Sequence, residues 1–141
     1  MLTSLRIRNF KAWRDTEKIR LAPLTVIFGA NSAGKSSLGH LLLALKQTAM
    51  STDRKRALHL GDTTTLIDLG TFADCLHGHD LSQTLEFTLG WTLPKALEVR
   101  DPLKASQRYS GDRLRLAVTL AAGKSGQPEV NALHYDLGNT N

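Results

Sequence analysis

Hydrophobic and polar residues alternate near the start of the chain. Leu5 and Ile7 are interleaved with Arg6 and Arg8 in "SLRIRNF", and Ile19 and Leu21 repeat the alternation in "EKIRLA". A one-residue alternation places every second side chain on one face, so both segments predict half-buried strands, with "NFKAWRD" as the turn region between them. "PLTVIF", Pro23 to Phe28, is an almost continuous apolar run with β-branched residues, closed by a glycine. Such a run predicts a fully buried strand. From Lys35 the period changes: Leu38, Leu41, Leu42 and Leu45 fall at i, i+3, i+4 and i+7, the stripe of an amphipathic helix of about four turns, with Lys46 and Gln47 on its polar side.

Residues 51–70 carry no strong period and predict a connector with one short extended piece. The second half is different. "TLEFTLGWTL" puts Leu85, Phe87, Leu89, Trp91 and Leu93 on one face, "RLRLAVTLAA" repeats this with Leu114, Leu116, Val118 and Leu120, and "EVNALHYDL" supplies Leu133, Tyr135 and Leu137. One-sided strands of this kind, joined by a polar loop around Pro94 to Asp112 and by "GKSGQP", predict an antiparallel meander. No internal repeat is present.

Composition fits this reading. The chain of 141 residues is 41% hydrophobic and 22% charged, enough apolar content for one domain with a core. It has no apolar run long enough to span a bilayer and no apolar leader at its N-terminus, so no membrane association is expected and the chain reads as cytoplasmic. A single cysteine, Cys75, has no partner for an internal disulfide, in keeping with a reducing compartment. The formal net charge is +5, concentrated in Arg6, Arg8, Lys11, Arg14, Lys18 and Arg20 and in "DRKR" at Asp53 to Arg56. These groups can attract the phosphates of a nucleotide or of DNA, or can simply be the solvated face of an amphipathic strand.

The chemistry is concentrated in "GANSAGKS", Gly29 to Ser36, which satisfies G-x-x-x-x-G-K-[ST] between an apolar run and an amphipathic helix. Gly29 and Gly34 give the backbone conformations closed to residues with a Cβ. The N–H groups of Ala30, Asn31, Ser32, Ala33 and their neighbours can then turn inward as an anion nest. The helix that follows adds its positive dipole end. Lys35, the catalytic candidate, supplies a mobile charge for the β- and γ-phosphates. Ser36 is the expected Mg²⁺ ligand, and Ser37 reaches the α-phosphate. A nucleoside triphosphate and Mg²⁺ are thus the expected ligands of the loop, with the base left open.

Three other stretches carry less. "GKS" at Gly123 to Ser125 lacks the first glycine and lies between two strands, so it reads as a hairpin turn. "TLIDLG" resembles an apolar run ending in an Asp that holds Mg²⁺, but it is short, follows three threonines and has no second acid after Asp68, so it is not read as that strand. "CLHGHD", Cys75 to Asp80, gathers potential metal ligands, but too closely for a familiar zinc spacing, and reads better as a polar turn.

The order "L-x-I-x-N-F-K", a loose strand, then "L-T-V-I-F-G-x-N-S-x-G-K-S-S-L" resembles the opening of ABC-type ATPase heads of the SMC and RecF group. It is most similar to the AAA family ATPases related to the OLD nucleases of bacterial anti-phage systems. "LIDLGTF" leading to "LEFTL" is similar to their connector and first meander strand. The resemblance implies an α/β fold: the N-terminal lobe of a P-loop NTPase head, with a buried strand, P-loop and helix unit and an antiparallel β-meander.

It further implies that residues 1–141 are one lobe of a longer chain. Lys11 would lie near the nucleotide phosphates or ribose, and Asn31 would match the asparagine of the G-x-N loop. Ser32 stands where many members of the group have glycine. The glutamine loop, signature motif, Asp-Glu pair and switch histidine of such heads are not recognisable in this sequence. The resemblance implies ATP binding, hydrolysis shared between two heads of a homodimer that sandwich nucleotide, and control of a DNA-directed or anti-phage effector such as a nuclease or toxin. A non-hydrolysing nucleotide sensor that organises such a complex is the alternative.

Overall fold

In the computed structural model, residues 1–104 and 106–139 are described; Ala105, Thr140 and Asn141 lie outside the described residues. One six-stranded sheet dominates. Its elements are β1 (Leu2–Phe10), β2 (Trp13–Asp15), β3 (Ile19–Arg20), α1 (Lys35–Met50), α2 (Phe72–Cys75), β4 (Leu85–Arg100), β5 (Arg108–Ala122) and β6 (Pro128–Gly138). The strands run in the order β2-β1-β4-β5-β6, and β3 also pairs with β1. Every pairing is antiparallel.

The expected meander is β4, β5 and β6, and "GKS" is its second turn, where Gly123 N–H donates to the Gln127 carbonyl at 2.8 Å. The first hairpin is longer than the sequence indicated. Pro94 was expected to begin a loop reaching Asp112, but β4 continues to Arg100 and pairs with β5 from Arg108. The register shifts between Thr92 and Leu97. That irregularity accommodates a proline, which has no N–H to offer the ladder.

Side chains directly opposite each other share a face, and the register sorts the sheet into two. Ile7, Phe87, Val118 and Leu133 form one row, and Leu5, Leu89, Leu116 and Tyr135 form the next. Burial declines along each row. Ile7 and Phe87 are in the core, whereas Leu133 and Tyr135 at β6 are 51% and 59% exposed. Leu38, Leu41 and Ala44 of α1 belong to the same buried cluster as Leu5, Ile7, Phe10, Phe72, Leu85 and Leu120. The helix therefore lies over the β1 and β4 end of the apolar face.

Two elements differ from expectation around the helix. Pro23 to Phe28 forms no strand, and Leu24 and Phe28 are 82% and 89% exposed. The reason lies in the ladder. Both edges of β1 are taken, by β2 and β3 on one side and β4 on the other, so the segment does not join the sheet beside β1, and it pairs with neither outer edge of the sheet. Conversely, "NFKAWRD" contains a strand, because Arg8 pairs with Asp15 and Phe10 with Trp13, confining the turn to Lys11 and Ala12.

Residues 51–70 contain no strand, yet they are not loose. Gln47, expected on the polar side of α1, is 5% exposed. Its Nε2 donates to the carbonyls of His59 at 2.7 Å and Ile67 at 3.1 Å, and its Oε1 accepts from Ile67 N–H at 3.2 Å. One buried amide thus fastens the connector to the helix, allowing Leu58, Leu60 and Leu69 to enter the core.

Candidate phosphate-binding site

The loop Gly29 to Gly34 leads straight into α1, whose first residue is Lys35. Gly34 is the N-cap with φ of 82°, no side chain caps the helix, and its first turn contains no acid. The positive dipole end is thereby left facing the loop with no side chain or acid to neutralise it. A Cβ on Gly34 would lie 2.6 Å from the Ala12 Cβ and 3.2 Å from the Trp13 Nε1. Left-handed backbone and close packing both require glycine here. The Trp13 indole donates to the Gly34 carbonyl at 2.9 Å, tying the β1–β2 turn to the loop.

Within the loop, Ala33 N–H donates to the Ala30 carbonyl at 3.3 Å and Ser37 N–H to the Gly34 carbonyl at 3.0 Å. Ser32 has φ of 64°, in the left-handed region that costs a residue with a Cβ about 1–2 kcal/mol. The glycine common at this position in similar loops has its physical reason in that angle. The Lys35 ammonium donates to the carbonyls of Gly29 at 2.9 Å and Ala30 at 2.5 Å, so its charge is held over the loop. Ser36 is exposed at the second helical position, while Ser37 is buried. Asn31 is exposed at the apex.

Lys11 stands in the turn that grips the loop. Its N–H donates to the Cys75 carbonyl at 2.7 Å, its carbonyl meets His77 Nδ1 at 2.9 Å, and its ammonium reaches the Asp74 carbonyl at 3.4 Å. The backbone of Lys11 is thus fixed next to Ala12 and Trp13, which touch Gly34. The bond its ammonium makes is to α2.

"CLHGHD" resolves into the end of α2 and a following 3₁₀ turn. Cys75 is fully buried, and burial pushes its thiol up to about 11. His77 is engaged by Lys11, and His79 meets the Ala73 carbonyl at 3.1 Å. Among the described residues no three His, Cys, Asp or Glu side chains group as a metal site. Asp68 accepts from Gly70 N–H at 2.9 Å, a local turn bond.

The contributions of Trp13 and Gln47 were not foreseen. A tryptophan directly after "NFKA" was the available sign for the first, since a half-buried indole seeks an acceptor. A glutamine one turn after Leu38, Leu41 and Ala44 was the sign for the second.

An α/β chain with an open helix end behind a glycine-rich loop defines a nucleotide-binding domain. Residues 1–99 match the AAA ATPase domain family (AAA_15), more than half of the chain, and the protein belongs to that family. No curated protein matches the sequence. Among the described residues no helix is long and apolar enough to cross a membrane.

Proposed function

We propose that residues Gly29, Ala30, Asn31, Ser32, Ala33, Gly34, Lys35, Ser36 and Ser37 hold the phosphates of ATP. Ser36 contributes to Mg²⁺ binding, and Lys11 approaches from the β1–β2 turn. One observation carries this reading: α1 begins uncapped and without an acid behind Gly34, with the Lys35 ammonium over the loop. These groups fit a polyphosphate, because the positive end of the helix and the lysine charge meet at the loop while the first turn of α1 carries no acid. Bound Mg²⁺-ATP would supply a cleavable phosphoanhydride, and the residues of this chain would orient it and neutralise its charge.

In the complete protein, this lobe would work as one of two heads that sandwich nucleotide in a homodimer. Hydrolysis would control a DNA-directed or anti-phage effector, a nuclease or toxin. The ABC-type pattern of "NFK", loop and meander supports this reading. The experiment is titration of the purified protein with a fluorescent ATP analogue and Mg²⁺. Lys35→Ala should weaken binding at least about tenfold, since it removes a charge-assisted contact of about 1.5–3 kcal/mol. Equal affinity in variant and parent would overturn the assignment.

The second reading is a sensor that binds nucleotide without cleaving it and organises a complex with a nuclease or toxin. Phosphate release by the full-length protein discriminates the two.

A further inference from the structure

The sheet has a second face, turned away from α1. Ser4 pairs with Arg20 of β3 and with Gly90 of β4, Gly90 pairs with Arg115 of β5, and Arg115 with Asp136 of β6. This row therefore carries bulky arginines at positions three strands apart, with a serine and a glycine between them. Strand spacing makes the interval about 14 Å. The result is a trough. A cleft of about 690 Å³ lies over it, lined by Ser4, Arg6, Lys18, Arg20, Gly90 and Arg113 among others. A Cβ on Gly90 would stand 2.5 Å from Ser4 Oγ, so the floor is as low as a polypeptide backbone permits.

Charge is distributed unevenly around this cleft. Arg6 is bound to Asp15 through two hydrogen bonds of 3.0 and 2.6 Å, and Arg115 to Asp136 at 3.2 Å. Arg8, just outside, is held by Glu86 at 2.9 Å and Asp15 at 3.3 Å. Lys18, Arg20 and Arg113 have no ion-pair partner among the described residues, and all three are exposed. The basic patch visible in the sequence is thus divided. Arg6 and Arg8 are spent within the sheet, and the free charge sits on Lys18, Arg20 and Arg113.

We infer that this trough binds the sugar-phosphate backbone of a single nucleic-acid strand. Unpaired guanidinium and ammonium groups on opposite rims match a line of phosphates, above a floor where Ser4, Thr88 and Gly90 keep the backbone low and Leu5, Trp91 and Leu114 also enter the lining, with Asp136 already paired to Arg115. A second copy of this chain is a poor occupant, because its net charge of +5 repels the rim. The inference deepens the DNA-directed part of the proposed function. It is independent of the nucleotide part, because the trough and the phosphate loop lie on opposite sides of the sheet.

The test is fluorescence anisotropy of a labelled oligothymidylate titrated with the purified protein over a range of salt. Arg20→Gln/Arg113→Gln should bind at least about tenfold more weakly, with a log-log salt slope shallower by about 1.4 for two lost phosphate contacts. Its melting temperature should match the parent, since both side chains are exposed. Lys35→Ala should bind the oligonucleotide as the parent does, which separates failure here from failure of the ATP assignment. Arg54→Gln/Lys124→Gln removes the same charge elsewhere and should bind normally. Parental affinity in the rim variant, equal weakening in the charge control, or displacement of the oligonucleotide by polyglutamate at equal charge would each overturn the inference.

Discussion

The Trp13 indole N–H and the Gly34 carbonyl are joined by a hydrogen bond of 2.9 Å, and this bond makes the first β-turn a brace for the phosphate loop. Gly34 is also the residue on which Ala12 packs, so the last peptide of the loop is held from one side by a side chain and from below by the helix. Trp13→Phe keeps the ring and deletes the donor. A neutral hydrogen bond contributes about 0.5–1.5 kcal/mol, so ATP affinity should fall by roughly two- to tenfold. Gly34→Ala should abolish binding, because the new methyl meets Ala12 in a backbone conformation that disfavours it. Titration with a fluorescent ATP analogue reads both effects; unchanged affinity in Trp13→Phe would show that the brace is not used.

Ser32 adopts a left-handed conformation within the loop, with φ of 64°. Glycine takes that conformation without strain, but its greater freedom in the unfolded chain offsets part of the gain. Ser32→Gly should therefore stabilise the fold by up to about 1 kcal/mol. Urea unfolding measures this directly, and a destabilised variant would mean that the Ser32 side chain makes a contribution larger than the strain.

Periodicity carried the elements whose partners are close in sequence. The meander was legible because each of its strands alternates and finds the next strand as its neighbour, and α1 because its leucines recur on one face. Pro23 to Phe28 was misread for the same reason that it is apolar. Composition reports a demand for burial on both faces, but a strand also needs a neighbouring strand to pair with, and none of the described strands pairs with this segment. Gln47 shows the opposite limit. Its polarity pointed to solvent, whereas its three bonds to the connector are tertiary and leave no local pattern. At the candidate site the identities of Gly34, Lys35 and Ser36 were plain from the motif, while the Trp13 brace and the engagement of Lys11 with Asp74 depend on a fold that brings distant turns together.

Gln47 is nearly inaccessible and holds the connector at two residues, which makes it a measure of how far α1 depends on residues 51–70. Gln47→Leu preserves volume but leaves the His59 and Ile67 carbonyls and the Ile67 N–H without this partner. Unsatisfied buried groups cost about 1–3 kcal/mol, so the urea midpoint should drop accordingly. Hydrogen exchange should accelerate selectively at Ile67 N–H. If that amide keeps its protection, the connector is held by its leucines rather than by the amide.

Acid should loosen the same turn that braces the loop. Asp15 is held at about 2, below its ordinary 3.8, chiefly by its hydrogen bonds from Arg6, then by the Glu17 N–H and the charges of Arg6 and Arg8. Because the folded value is the lower one, Asp15 favours the native state fully above about pH 4. That contribution disappears as the pH falls from 4 toward 2. Asp62, Asp74 and Asp80 are lowered too, so the parent alone would not isolate the effect. The difference between parent and Asp15→Asn does so. The variant should be less stable at neutral pH, and the gap should close below pH 4 as the parent's carboxylate is neutralised. Trp13 lies two residues away on β2, so its fluorescence should report the loosening before global unfolding. Parallel stability curves for parent and variant from pH 6 to pH 2 would show that the pair with Arg6 contributes nothing to the fold.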